Sequence, residues 1–278
     1  MISGVNAMHP DYLTPCSSEW LGVLCKEFFA GLLLIGTGLS TAMAEDLTLP
    51  PASPARLQYL RQSAVATSAA ESLAVVTADP KRADFERVEA SKVARQVADW
   101  VLDSGDHGPL PFMIVDKKEA KVFAFYADGR LRGAAFALLG LALGDDSVPG
   151  IGKRSLASIL PIERTTPAGR FVASLGRNLQ GDEILWVDYE AAISLHAVIT
   201  RNPKEHRAQR LATPSPLDNR ISYGCINVPA DFFKNVVLPT FKGTNGIVYV
   251  LPETRSAQAV FGSYDVDEHA RLVRTNPR

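Results

Sequence analysis

Apolar residues change rhythm partway along the chain. From 56 to 104 they recur near helical spacing: Leu57, Leu60 and Ala64, then Val88, Val93, Val97, Trp100 and Val101. Ala78-Asp79-Pro80 divides this stretch into two helices, because proline does not continue one. Ahead of it, residues 45–55 (EDLTLPPASPA) read as a Pro-rich linker. From Leu110 onward the period shortens. Strands are predicted from Phe112 to Val115, Lys121 to Tyr126 and Leu131 to Leu139, with a hairpin turn at Asp128-Gly129. Further strands are expected from Arg170 to Leu175, Ile184 to Tyr189, Ala192 to Val198, Cys225 to Val228 and Gly246 to Leu251. Asp231 to Val237, after Pro229, suits a short helix.

Many short strands with turn signals between them imply a mainly β domain, sandwich or barrel-like, over residues 108–255. A linker and small α-helical segment occupy 45–107, and the polar tail 256–278 is expected at the periphery. The N-terminus has the layout of an export signal. Phe28 to Leu39 form an apolar run behind Lys26, and Ala42-Met43-Ala44 fits a small-x-small cleavage site. Residues 1–44 therefore read as a signal peptide cut after Ala44, with an uncleaved anchor as the alternative. The apolar run falls short of the roughly 20 residues that span a bilayer. Either reading puts the body of the protein in the periplasm or cell envelope.

Composition adds one exclusion. Of 278 residues, 46% are hydrophobic, enough for one sizeable core and an appendage. The net charge is −1, with no basic block and no Lys/Arg stripe, which argues against a nucleic-acid partner. Cysteine usage is more telling. Cys16 and Cys25 fall in the leader, so Cys225 is left without a partner for an internal disulfide. A lone thiol in an exported chain implies an intermolecular bond, a buried inert thiol or a reactive one.

A reactive thiol needs a base, because the thiolate is the nucleophile and a free cysteine has a pKa of about 8.5. Beyond the leader stand His107, His196, His206 and His269. His107 precedes the β domain and His269 lies in the tail, so His196 and His206 are the candidates. His196 sits in a strand pattern, opposite in facing to Ile193, Leu195 and Ala197. His206 sits in a polar loop. Around the thiol, Gly224 allows a positive φ and close backbone approach, which aims peptide N–H groups at an oxyanion. Ser222 and Asn227 are small hydrogen-bonding groups able to orient the loop or a bound peptide. No His/Cys/Asp spacing suggests a metal.

Ser222-Tyr223-Gly224-Cys225-Ile226-Asn227-Val228 resembles the active-site motif of bacterial L,D-transpeptidases: Ser/Thr-His-Gly-Cys, an apolar residue, then Asn or Arg. Thr166-Pro167-Ala168-Gly169-Arg170-Phe171 is similar to the upstream Thr-Pro-x-Gly-x-Phe segment of the same domain, and Ile193-Ser194-Leu195-His196 to the strand bearing its general base. The resemblance covers residues 110–252. It implies the family's β catalytic domain, acting on peptidoglycan stem peptides through a Cys225 thioester. It also implies that the Ala197 carbonyl holds the far ring nitrogen, that no cofactor or metal is needed, and that other envelope proteins are candidate partners. Two departures stand out. Tyr223 replaces the family's usual His, which favours an impaired peptidoglycan-binding homologue as the alternative, beside an L,D-carboxypeptidase. By interval to Ser222 the base would be His206, but strand context favours His196 with 202–219 as a loop insertion, so His196 is the expected base and His206 the alternative.

Overall fold

The computed structural model describes residues 79–275. The expected signal peptide, Pro-rich linker and first helix lie outside the described residues. The chain divides into two units: Pro80–His269 is the described part of one, and Asp79 with residues 270–275 is all that is described of the other. Among the described residues no helix is long and apolar enough to cross a membrane.

Among the described residues ten strands follow in order: β1 (Phe112–Asp116), β2 (Lys121–Phe125), β3 (Leu131–Phe136), β4 (Leu139–Gly140), β5 (Gly169–Arg177), β6 (Glu183–Asp188), β7 (Ile193–Ala197), β8 (Arg220–Ser222), β9 (Ile226–Val228) and β10 (Gly246–Val250). Eight of them form one sheet in the order β3-β2-β1-β10-β5-β6-β7-β9, and β4 pairs with β8. The sheet nearly closes on itself. Just after β3, Leu138 exchanges two 2.8 Å backbone hydrogen bonds with Asn227 of β9, at the other end of the strand order. The expected mainly β, barrel-like fold is what forms.

Alternation along the strands separates two cores. Met113, Val115, Val122, Ala124, Leu195, Ile226, Val248 and Val250 share one core with Phe232, Phe233, Val237 and Phe241. The latter four come from a helical run over 230–241 whose middle, Phe233–Val237, is π-helical. Phe112, Ile114, Phe123, Phe125, Ile247 and Tyr249 point the other way, into a second core. With both faces covered, β1, β2 and β10 read as continuous apolar runs, and each fully buried Val, Ile or Phe contributes about 1.5–3 kcal/mol.

The second core is covered by the helix Lys92–Ser104. Ser91 caps it by accepting the Ala94 N–H, and Gly105 ends it in the left-handed region at φ 68°. Ala94, Val97, Ala98, Val101 and Leu102 face inward, but Val93, expected on that stripe, points out and is 42% exposed. The C-terminal segment differs from its expected peripheral place. The helix Ala257–Phe261 brings Phe261 against this same core, and Tyr264 and Val266 pack there too. The 230–241 run extends past the predicted end at Val237, and Pro239 lies within it, just after the π-helical stretch. β8 was not expected: three residues with a polar end carry no alternation to read.

Candidate active site

β7 and β9 are adjacent and parallel, with His196 opposite Asn227 in the register. Cys225 is the residue immediately before β9, so the strand pair delivers the thiol and an imidazole to one place. Ser222 closes the loop between β8 and β9. Its hydroxyl donates to the Cys225 carbonyl at 2.6 Å and accepts the Gly224 N–H at 3.1 Å. Asn227 Nδ2 donates to the same carbonyl at 3.2 Å. Ser222 and Asn227 thus orient the loop itself. The Gly224 N–H, expected to aim at an oxyanion, is taken up by Ser222.

Gly224 adopts φ 132°, and a Cβ there would lie 2.6 Å from Ile193 Cδ1 and 2.8 Å from the Thr165 carbonyl oxygen. Only glycine fits so close a backbone approach at that φ. On the other side of the loop, Thr166 donates from Oγ1 to the Gly224 carbonyl at 2.7 Å and accepts the Gly140 N–H at 2.9 Å.

The Cys225 sulfur is half-buried. Ser194 Oγ donates toward it at 3.6 Å, and the thiol faces the Ala192 carbonyl at 3.9 Å. The His196 ring lies close enough for the sulfur to act on it electrostatically, and the ring nitrogen Nδ1 is 2.8 Å from the Ala197 carbonyl. Because a carbonyl only accepts, Nδ1 carries the proton and Nε2 is left for the sulfur. Burial pushes the His196 imidazole down, but the Cys225 sulfur, with the Ala197 carbonyl, outweighs it. The ring is held above its usual value.

His206 is placed elsewhere: it is exposed and sits at φ 50° ahead of the helix Arg207–Ala212. Its neighbour Arg207 turns toward the site. Arg207 Nη1 donates to Asn227 Oδ1 at 2.7 Å, Nε pairs with Glu205, and its charge acts against the protonated His196. His107 is buried between the carbonyls of Val101 and Ala127, and the His269 ring packs on Tyr264.

Three single-turn 3-10 segments, Ile151–Lys153, Leu156–Ser158 and Pro161–Glu163, lie ahead of the Thr-Pro segment. Ile151, Gly152 and Leu156 of the first two, with Thr165, Ile193 and Tyr223, border a cavity of about 20 Å³ against Cys225. Tyr223 lies under the guanidinium of Arg164, whose Cζ is 3.8 Å from the ring centroid. Sequence reasoning singled out neither Arg164 nor Arg207, since both lie in stretches without periodicity where an arginine ordinarily faces solvent.

No protein-family model matches the chain, and no curated protein matches it. Solved structures do. Pgp2 from Campylobacter jejuni, a helical cell shape determining protein, is 16% identical over 65% of this chain and 65% of its own, with a TM-score of 0.36. The catalytic domain of the L,D-transpeptidase from E. faecium is 18% identical over 52% of this chain and 99% of its own, at 0.30. Residues 123–326 of the L,D-transpeptidase from Xylanimonas cellulosilytica are 14% identical over 51% of this chain and 60% of their own, at 0.29. Two of these three are L,D-transpeptidases. The chain spans less than two thirds of the Campylobacter structure.

Proposed function

We propose that this protein is a cysteine-dependent L,D-transpeptidase of the periplasm or cell envelope, acting on peptidoglycan stem peptides. One observation carries this reading: His196, fixed at Nδ1 by the Ala197 carbonyl, has its ring close enough to the Cys225 sulfur for the two to interact electrostatically. The resemblance of Ser222 to Val228 and of Thr166 to Phe171 to the family's motifs supplies the substrate class.

In this mechanism His196 Nε2 takes the Cys225 proton as the sulfur attacks the carbonyl of the third stem residue. A C–S bond forms and the carbonyl π pair moves to oxygen. As the tetrahedral intermediate collapses, the C–N bond to the terminal D-Ala breaks, and the imidazolium returns its proton to the departing amine. The thioester is then taken by an amine of a second stem, giving a crosslink, or by water, giving a trimmed peptide. The water route is the L,D-carboxypeptidase alternative.

Full-length or leader-processed protein incubated with tetrapeptide muropeptides, followed by mass spectrometry, tests this. D-Ala release in wild type that disappears in Cys225→Ala and falls strongly in His196→Ala, but persists in His206→Ala, is the expected pattern. No release in wild type rules the reading out. A carbapenem adduct on Cys225 is a second expected outcome. Tyr223 and its stacked Arg164 favour one competing reading, an impaired peptidoglycan binder. Retention on sacculi without any product is its signature.

A further inference from the structure

β7 brings two side chains to the Cys225 sulfur. Ser194 and His196 are two residues apart on one strand, so they share a face, opposite to the core residue Leu195. Across the parallel pair, Leu195 is registered with Ile226 and His196 with Asn227, which sets Cys225 at the level of Ser194. Ser194 is 2% exposed, and its Oγ donates toward the sulfur at 3.6 Å, a length that suits the larger radius of sulfur.

The sulfur needs different neighbours before and after it loses its proton. As a thiol it has a proton to donate, and the Ala192 carbonyl faces it at 3.9 Å. Ala192 itself sits at φ 55°, in the left-handed region that non-glycine residues adopt mainly at turns and functional sites. A thiolate has nothing to donate, and the negative end of a carbonyl opposes it. It requires donors. The Gly224 N–H is already taken by Ser222. His196 becomes a donor toward the sulfur once it has taken the proton, and the Ser194 hydroxyl is a second one that needs no change of state.

We infer that Ser194 is a catalytic residue of the thiol centre: its hydroxyl holds the Cys225 thiolate by a hydrogen bond while the sulfur's proton resides on His196. Ser194 keeps its own proton throughout and takes no part in the transfer. The role rests on Cys225 being the nucleophile of the proposed function, and it adds a residue which that mechanism does not use. A hydrogen bond to an ionised acceptor is stronger than one to a neutral partner, so the hydroxyl favours thiolate over thiol and lowers the pH at which the sulfur ionises. Other groups act on the same sulfur or its base. β7 contributes His196, and the helix 207–212 contributes Arg207, which bonds Asn227 and pairs with Glu205. The stretch ahead of Thr165 contributes Arg164, laid on Tyr223 two residues from the thiol. None of these is altered when only Ser194 is changed.

The test follows alkylation of Cys225 by iodoacetamide in the full chain from about pH 5 to about pH 10, read on the Cys225 peptide by mass spectrometry. That readout separates Cys225 from Cys16 and Cys25. Cys225 and His196 titrate as a pair, so the profile gives an apparent midpoint, which is compared between variants. Ser194→Ala is expected to raise that midpoint by about one unit and to slow alkylation below it about three- to tenfold. Ser194→Thr, which keeps the hydroxyl and suits a strand, is expected to restore most of both. A profile that Ser194→Ala leaves unchanged overturns the role. So does an equal shift in Ser194→Thr, which assigns the effect to packing. Should Ser194→Ala not fold, Ser194→Gly removes the same hydroxyl with no side chain to place and decides in its stead. No substrate enters the measurement, so its outcomes separate from those of the proposed function. An unchanged profile with D-Ala still released by the wild type sinks only the role of Ser194. A shifted profile with no D-Ala release by the wild type sinks only the transpeptidase reading.

Discussion

Thr166 Oγ1 donates a 2.7 Å hydrogen bond to the carbonyl of Gly224, the residue immediately before Cys225. The same hydroxyl accepts the N–H of Gly140, and the Thr166 carbonyl accepts Nζ of the buried Lys117 at 3.0 Å. One fully buried side chain thus ties the thiol loop to β4. Thr166→Val removes the hydroxyl at nearly constant volume and strands a buried donor and a buried acceptor. The expected loss is about 1–3 kcal/mol in urea denaturation, with a smaller loss for Thr166→Ser, which keeps both bonds. Equal midpoints for the two variants would contradict this role.

Gly224→Ala meets two independent obstacles. The new methyl would sit 2.6 Å from Ile193 Cδ1 and 2.8 Å from the Thr165 carbonyl oxygen, at φ 132°. The Ile193 atom belongs to a flexible side chain, but the carbonyl and the φ do not yield. Gly224→Ala is therefore expected to lose stability by about 1–3 kcal/mol from the backbone strain alone. Adding Ile193→Val, which trims the flexible contact, is expected to recover little of it. Full recovery, by chemical denaturation, would place the strain in the side-chain contact instead.

The strands were legible because apolar runs bounded by Gly, Asp-Gly and Pro carry their own period, and the thiol was legible because it stood alone. His196 was within reach for the same reason: a histidine on an alternating strand has only two directions to point. Arg164 and Arg207 were not legible. Each enters the site through irregular backbone, in the 3-10 stretch before Thr165 and in the segment between β7 and β8, where no period says which way a side chain faces. Lys117 is buried although Lys117-Lys118-Glu119, three charged residues between two strands, looks solvated in the sequence. What hides it is a long-range cage of Asp145, Glu253 and the Thr166 carbonyl that no local pattern encodes.

That cage makes acid stability depend on Asp145. Burial raises its carboxyl, but the Thr254 hydroxyl and the N–H groups of Glu253, Thr254 and Arg255 outweigh burial and hold it well below the usual carboxylate range. A depressed folded-state pKa contributes stability that is complete above the unfolded value, near 3.9, and fades as pH falls from there toward the folded value. Asp145→Asn, which leaves Lys117 buried with less counter-charge, is expected to cost about 3–5 kcal/mol at pH 7. The gap between the variant and wild type should narrow steadily below pH 4 in denaturation series. A gap independent of pH would mean that shape, and not charge, supplies the contribution.

For His196 the balance of causes gives opposite signs in two proteins. With Cys225 present, the ring is held above its usual value despite burial. In Cys225→Ala the influence of the sulfur vanishes while burial and the Arg207 charge remain, so the titration midpoint should fall. Imidazole chemical shifts followed by NMR across pH 4–10, a range of about three units either side of the reference value, read both directly. An unchanged midpoint would mean that sulfur and imidazole are not coupled.

Arg207 offers the last sign test, because its charge acts on the imidazole in the opposite sense to that of the sulfur. Its guanidinium bonds Asn227, which stands across from His196 in the β7–β9 register, and its charge pushes the ring downward. Arg207→Gln keeps a hydrogen-bonding amide for Asn227 but removes that charge, so the His196 midpoint should rise. Glu205 pairs with Arg207, so Glu205→Gln unmasks the cation and should move the midpoint the other way. Only the neutral ring accepts a proton. In the proposed mechanism, Arg207→Gln therefore shifts the acid limb of D-Ala release to higher pH, while Glu205→Gln shifts it lower. Movement of both variants in the same direction would show that Arg207 works by packing the 207–212 helix onto the site, and not through its charge.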